Sequence, residues 1–187
     1  MIIKLSINYD YDKPGTLRVQ LLFPGVAETR WLDDLEMRTW LAWVQSSLLL
    51  RDRLDAELVA EHDLSLAEYE VLAFVSQAPA GRLRMAELAA TTIVSRSRLT
   101  HLVDRLVRRG LVTRQQCPSD RRGWFAVLTP AGRRLLRKAA PTHVRGVRHY
   151  LIDVLTPDEV AALGPVLERV VAAVAPDLSC ERSNDGS

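Results

Sequence analysis

The 187-residue chain has only two cysteines, Cys117 and Cys180, and three lysines. Two thiols cannot build a disulfide scaffold, and neither stands in a CxxC or Cys/His spacing that would hold zinc. Long apolar runs are also missing. The longest candidate, Thr39 to Leu50, is cut by Gln45, Ser46 and Ser47 and closed by Arg51, short of the roughly 18 residues that span a bilayer. The opening Met1-Ile-Ile-Lys-Leu-Ser-Ile is too short for the apolar region of a signal peptide and runs into Asp10 and Asp12. There is no Gly-rich phosphate loop, no GxSxG elbow, no HExxH and no paired carboxylate–histidine arrangement. His62, His143 and His149 show no ligand spacing. The expectation is a soluble, cytoplasmic chain that is not an enzyme and needs neither metal nor cofactor. With 48% apolar and 26% charged residues it can build a packed core.

Residues 1–30 differ in composition from the rest of the chain. Residues 1–13 hold two of the three lysines (Lys4, Lys13), three of the five isoleucines (Ile2, Ile3, Ile7) and two of the four tyrosines (Tyr9, Tyr11). From Trp31 onward the basic residues are almost all arginine. Pro14-Gly15 and Pro24-Gly25 are turn signals that leave room for a short strand over 17–23. A family-specific arm, a start site placed too far upstream and an appended extension all account for this segment, and no function is assigned to it.

Net charge is +2, yet the charges are segregated. From Trp31 to Asp63 eight acids face three arginines. From Arg82 to Arg122 ten arginines face three acids. Clustered arginine at this density is an electrostatic footprint for a polyanion, although a basic run is also what a solvated face looks like.

Helical spacing over 32–60 (Trp40, Trp43, Ser47, Leu50, Leu54, Leu58) predicts one long helix with two packing surfaces, core and partner. Ser65-Leu-Ala-Glu68 is a capping box opening a second helix that ends before Ala78-Pro79-Ala80-Gly81. Arg84 to Thr91 reads as a short third helix. A fourth runs over about 95–109, from Ser95 as N-cap to Gly110 beyond its end. Its apolar stripe is Leu99, Leu102, Val103 and Leu106, and its other face carries Arg96, Ser97, Arg98, Thr100, His101, Arg105 and Arg108. Arginine offers a bidentate fork to guanine or phosphate, and short hydroxyls allow close approach, so this face suits a DNA groove.

Two β-prone runs, Leu111–Gln116 and Trp124–Leu128, flank residues 117–123, whose Pro118, Asp120 and Gly123 mark a hairpin turn. Arg121 and Arg122 at its tip suit a narrow minor groove, and Asp120 is placed to fix an arginine rotamer. Thr129-Pro130 opens a fifth helix running to about Val154, which Pro141 should kink or break. Thr156 to Glu159 caps a last helix with the stripe Val160, Leu163, Leu167, Val170, Val171 and Val174. These terminal helices exceed what a small winged unit can cover, which predicts a dimer. From Pro176 the polar tail is expected to be disordered.

These residues resemble the multiple-antibiotic-resistance regulator (MarR) family over about Trp31 to Ala175. The most specific part is Asp120-Arg-Arg-Gly-Trp-Phe-Ala-Val-Leu-Thr-Pro-Ala-Gly132, similar to the family's wing pattern. Glu87-Leu-Ala89, Ser95 to Thr100 and Val103 to Val112 are similar to its helix-turn-helix run. The fold expected is mainly α with a small β-hairpin wing (α+β). Its parts are the segment 1–30, a dimerisation helix 31–64, a winged helix-turn-helix lobe 65–128, dimerisation helices 129–175 and the tail 176–187. The resemblance implies a homodimer binding a pseudo-palindromic operator in double-stranded DNA, with half-sites about one turn apart, and more loosely a small effector that weakens DNA binding. The oxidant-sensing branch of the family uses a cysteine near the start of the first main helix, which this chain lacks. Cys117 is read as an incidental surface or partly buried thiol, although neighbouring arginines could lower its pKa.

The DNA-contact candidates are Ser95, Arg96, Ser97, Arg98, Thr100, His101, Arg105, Asp120, Arg121 and Arg122. Trp40, Trp43 and Tyr69 stand at helical spacing as core aromatics do, and the same residues suit the walls of a pocket for a planar or phenolic effector. The competing class is a dimeric winged-helix module that binds protein rather than an operator. The arginine-rich face speaks against it, because protein interface cores are depleted in charge.

Overall fold

The computed structural model describes residues 30–92, 95–117 and 120–175; the strand expected over 17–23 and the tail from Pro176 lie outside them. Six α-helices and three strands succeed one another, and each helix with a clear cap begins where the chain supplies one. α1 (Asp34–His62) opens on a reciprocal pair in which Glu36 N donates to Asp33 Oδ1 at 2.8 Å and Asp33 N to Glu36 Oε2 at 2.9 Å. Packing divides the chain into two compact units, the boundary falling inside α1 between Leu49 and Leu50.

In the first unit the helix presents large apolar side chains to the outside. Trp31, Leu35, Trp40, Trp43, Leu48 and Leu49 are all exposed.

In the second unit the core gathers Leu54 and Leu58 from α1, Leu66, Val71, Leu72 and Val75 from α2 (Leu66–Gln77), and Leu88 from α3 (Met85–Thr91). α4 (Arg96–Arg108) adds Leu99, Val103 and Leu106 to it. The Ser65–Glu68 capping box forms as the sequence predicts, and Leu66 N also donates to Asp55 Oδ1 at 2.8 Å. Much of the acidic block is thereby used internally. Glu57 accepts from Tyr150 Oη at 2.6 Å, Glu61 pairs with Arg145, and Asp63 pairs with Arg109.

The sheet has three antiparallel strands in the order β1-β3-β2, one more than the hairpin expected. β1 (Arg82–Arg84) is too short to show a period of two; its strand character comes from pairing Arg82, Leu83 and Arg84 with Val127, Ala126 and Phe125. The turn is also shorter than residues 117–123. β2 (Val112–Cys117) runs through Cys117, and β3 (Asp120–Leu128) begins opposite it at Asp120. Gln116 pairs with Trp124, so the register shifts beside Cys117 and residues 121–123 are extra on β3, which is how a bulge bends a strand. Cys117 is buried rather than superficial.

α5 (Pro130–Tyr150) runs unbroken through Pro141, contrary to expectation, and ends before one 3-10 turn at Ile152–Val154. The proline removes one backbone bond, but the chain is anchored on both sides of it. Ala139 and Thr142 are buried, and Thr142 Oγ1 donates to Glu61 Oε2 while His62 Nε2 donates to it, both at 2.8 Å. α6 (Pro157–Val174) is capped by Thr156 and Glu159 and buries none of its residues.

Two local contacts carry measurable consequences. Thr129 N donates to Leu111 O at 3.1 Å, its Oγ1 donates to Gly110 O at 2.8 Å with Leu111 O 3.0 Å away, and Gly132 N donates to Thr129 Oγ1. A Cβ at Gly132 would stand 2.1 Å from Leu111 O. Gly132→Ala is therefore expected to lower the unfolding free energy by about 1–3 kcal/mol, read from denaturant titration. On the other side of the core, the rings of Tyr69 and His143 stack at 4.6 Å, and His143 Nδ1 is buried with no hydrogen-bond partner among the described residues. Burial lowers the His143 pKa, against a smaller opposing pull from Glu70. The unfolded chain thus binds this proton more readily than the folded one, so stability falls as pH drops below about 6.5. Thermal melts across that range should show the fall, and His143→Gln should flatten it.

Candidate nucleic-acid interface

α4 is a helix whose sequence separates burial from exposure along its length. Ser95 caps it, its Oγ accepting from Arg98 N at 3.3 Å, and Gly110 comes after it in the left-handed conformation at φ 68°. Leu99, Leu102, Val103 and Leu106 are buried; Ser95, Arg96, Ser97, Arg98, Thr100, His101, Arg105 and Arg108 are exposed. At about 100° per residue, Ser97, His101, Asp104 and Arg108 stand farthest from the buried stripe. The remaining polar residues fall on two flanks.

One flank carries Arg96 and Thr100 beside the hairpin. A concavity of about 540 Å³ opens there, lined also by Arg84, Arg114, Asp120 and Trp124. Arg114 pairs with Asp104 at 3.0 Å, which ties β2 to α4. Arg84 reaches across from β1: its Nη1 lies 4.0 Å from Asp120 Oδ2, its Nη2 donates to Cys117 Sγ at 3.0 Å, and its guanidinium lies over the Phe125 ring at 5.6 Å. Asp120 thus meets an arginine of β1, Arg84.

The other flank carries Arg98, Arg105 and Arg108, with His101, facing Asp55, Ser65 and Ala67 across a concavity of about 430 Å³. Here Glu68 matters. Its side chain is only 7% exposed, and its carboxylate lies 3.3 Å from Arg105 Nε and 3.5 Å from Arg109 Nη1. Arg109 is shared with Asp63, at 3.3 Å. Arg105 is half-exposed and already has an intramolecular anion.

Seven of the candidates, Ser95, Arg96, Ser97, Arg98, Thr100, His101 and Arg105, therefore lie together on α4 and its cap, with Asp120 at the tip end of the hairpin. The side chains of Arg121 and Arg122 lie outside the described residues, as do residues 118–119. Of the effector candidates, Trp40 and Trp43 are exposed in the first unit and Tyr69 is buried in the second. Arg84, Arg114, Trp124 and Glu68 were not singled out from the sequence; the two arginines counted in the basic block, but only cross-strand pairing and helix packing bring them to α4. Among the described residues no group of three or more His, Cys, Asp or Glu could hold a metal ion, and no helix is long and apolar enough to cross a membrane.

The chain is similar to known proteins in sequence and in fold. Residues 62–123 match the model of the MarR family. The multiple antibiotic resistance protein MarR of Escherichia coli K12 is 31% identical over 121 residues, which is 65% of this chain and 83% of that protein. Among solved structures, Sco3205, a MarR family transcriptional regulator from Streptomyces coelicolor in complex with DNA, matches at 40% identity with a TM-score of 0.75. That match covers 78% of this chain and 91% of Sco3205. A mutant E. coli MarR complexed with operator DNA matches at 26% identity and a TM-score of 0.64, over 75% of this chain and 99% of the other. Identity at this level across nearly the whole of its relatives, on the same winged helix-turn-helix, means that this chain belongs to the MarR family.

Proposed function

We propose that the chain is a dimeric, sequence-specific DNA-binding transcriptional regulator that represses its target and responds to a small effector. The observation that carries the reading is α4, which buries one apolar stripe and turns Ser97, Arg98, His101 and Arg108 outward. In a major groove such a face pairs arginine with guanine edges or phosphates, and serine and histidine sit close enough to reach base edges. Arg96 and Thr100 face the hairpin side, where Asp120, Arg121 and Arg122 would bring the wing to the adjacent minor groove. Arg105 joins this set only by leaving Glu68. The DNA complexes of Sco3205 and of E. coli MarR support DNA as the partner.

A homodimer, with residues 31–64 and 129–175 supplying the interface, is supported by the apolar surface left on both terminal segments. Trp40 and Trp43 on α1, and Val166, Val170 and Val174 at spacings of four on α6, are exposed. A second copy offers the same surface in return. Two copies would present two α4 helices to half-sites about one turn apart. The effector proposed is a small aromatic molecule.

Two outcomes are expected. Fluorescence anisotropy on the duplex upstream of the chain's own gene, against a scrambled duplex at two salt concentrations, should show selective binding that falls steeply with salt. Arg98→Ala and Arg122→Ala should each cost roughly 1–3 kcal/mol on the selective duplex, and unchanged binding in both would defeat the assigned interface. Val170→Glu should shift the sedimentation coefficient from dimer toward monomer and weaken operator binding at low protein concentration; a dimer that persists would place the interface elsewhere.

A further inference from the structure

Glu68 has two kinds of partner. Toward its own helix it closes the cap: Ser65 N and Ser65 Oγ both donate to Glu68 Oε2 at 3.0 Å. Toward α4 it lies 3.3 Å from Arg105 and 3.5 Å from Arg109. The cap needs only an acceptor, and a glutamine at the third helical position supplies one as well as a glutamate does. The negative charge is therefore surplus to the cap. Its other effect is on the arginine flank of α4. Among the described residues Arg98 and Arg108 form no ion pair, whereas Arg105, exposed on the same flank, is neutralised from within.

We propose that Glu68 competes with DNA phosphates for Arg105 and so restrains sequence-independent binding, which makes it a specificity-determining residue; this rests on the DNA-binding reading of α4. A phosphate that draws Arg105 away leaves the buried carboxylate with Arg109 and the Ser65 donors but with one cation fewer. At a side chain only 7% exposed, solvent compensates poorly for a lost ionic partner, so the exchange is costly. Loosely docked duplexes, held by phosphate contacts alone, do not meet that cost. The arginines that remain unpaired carry the non-selective attraction, and the sequence-independent term is smaller than the count of arginines on α4 would give.

The test uses the full chain with the duplex upstream of its own gene and the scrambled duplex, titrated by anisotropy over a salt series. Glu68→Gln should bind the scrambled duplex several-fold more tightly. Its plot of log affinity against log salt should steepen by about one, the increment for one added phosphate contact, and the ratio of selective to scrambled affinity should fall. In an Arg105→Ala background the same Glu68→Gln change should have no effect on the slope. Glu68→Asp keeps the charge and should keep the wild-type slope. Circular dichroism and a thermal melt check that each variant is folded. An unchanged slope in folded Glu68→Gln would overturn the proposal, as would a gain that survives without Arg105. A steepening in Glu68→Asp equal to that in Glu68→Gln would assign the effect to lost packing and overturn it too. Failure of the wild-type chain to bind either duplex at low salt would instead defeat the DNA-binding reading itself, and this inference with it.

Discussion

The second unit hangs on one backbone carbonyl, that of Leu111. It receives the amide of Thr129, whose hydroxyl donates to the neighbouring Gly110 O, and the missing side chain of Gly132 lets α5 come up against it. Leu111 stands directly after the left-handed Gly110 that ends α4, and Val112 opens the hairpin opposite Leu128. Three directions are therefore set at one point: the axis of α4, the base of the hairpin and the start of α5. A reading helix must be held against its neighbours to present side chains in register. In this chain the holding is done by main-chain hydrogen bonds at the end of α4 and by ion pairs along its sides.

Those ion pairs explain the uneven charge of the chain. In the acidic block before residue 64, Asp55 caps α2, Glu57 and Glu61 fasten α1 to α5, and Asp63 restrains Arg109. Within the basic block, Arg84, Arg105, Arg109 and Arg114 all have anionic partners nearby. Exposed pairs of this kind add little stability each. Their larger effect is to decide which arginines stay free, and the sequence cannot show that because the partners come from elements far apart in the chain.

What could be read from the sequence was local. Every helix start signalled by Ser65, Ser95, Thr129 and Thr156 is a cap in the structure, because an N-cap and its bonding partner lie within three residues of one another. The apolar stripe of α4 was equally plain, since Leu99, Leu102, Val103 and Leu106 fix a face. Non-local features were not legible. β1 is made a strand by β3, far along the chain; Pro141 is overruled by contacts with Glu61 and His62; and the register shift at Cys117 depends on how residues 121–123 are accommodated. Helical spacing alone was enough to group most of the candidate residues on one helix, but the two flanks of α4 were not distinguished, because Arg84, Arg114 and Glu68 reach it only through the fold.

Between Arg82 and Arg122 every fixed positive charge is a guanidinium; the span contains no lysine. Arginine keeps its proton at any pH a cell reaches, and its planar fork holds a phosphate or a guanine edge at two points. Acylation, which silences an ammonium by removing its charge, has no target amine in this span. The charge of this span is in that sense permanent, and what can change is only which of its arginines are paired with a carboxylate.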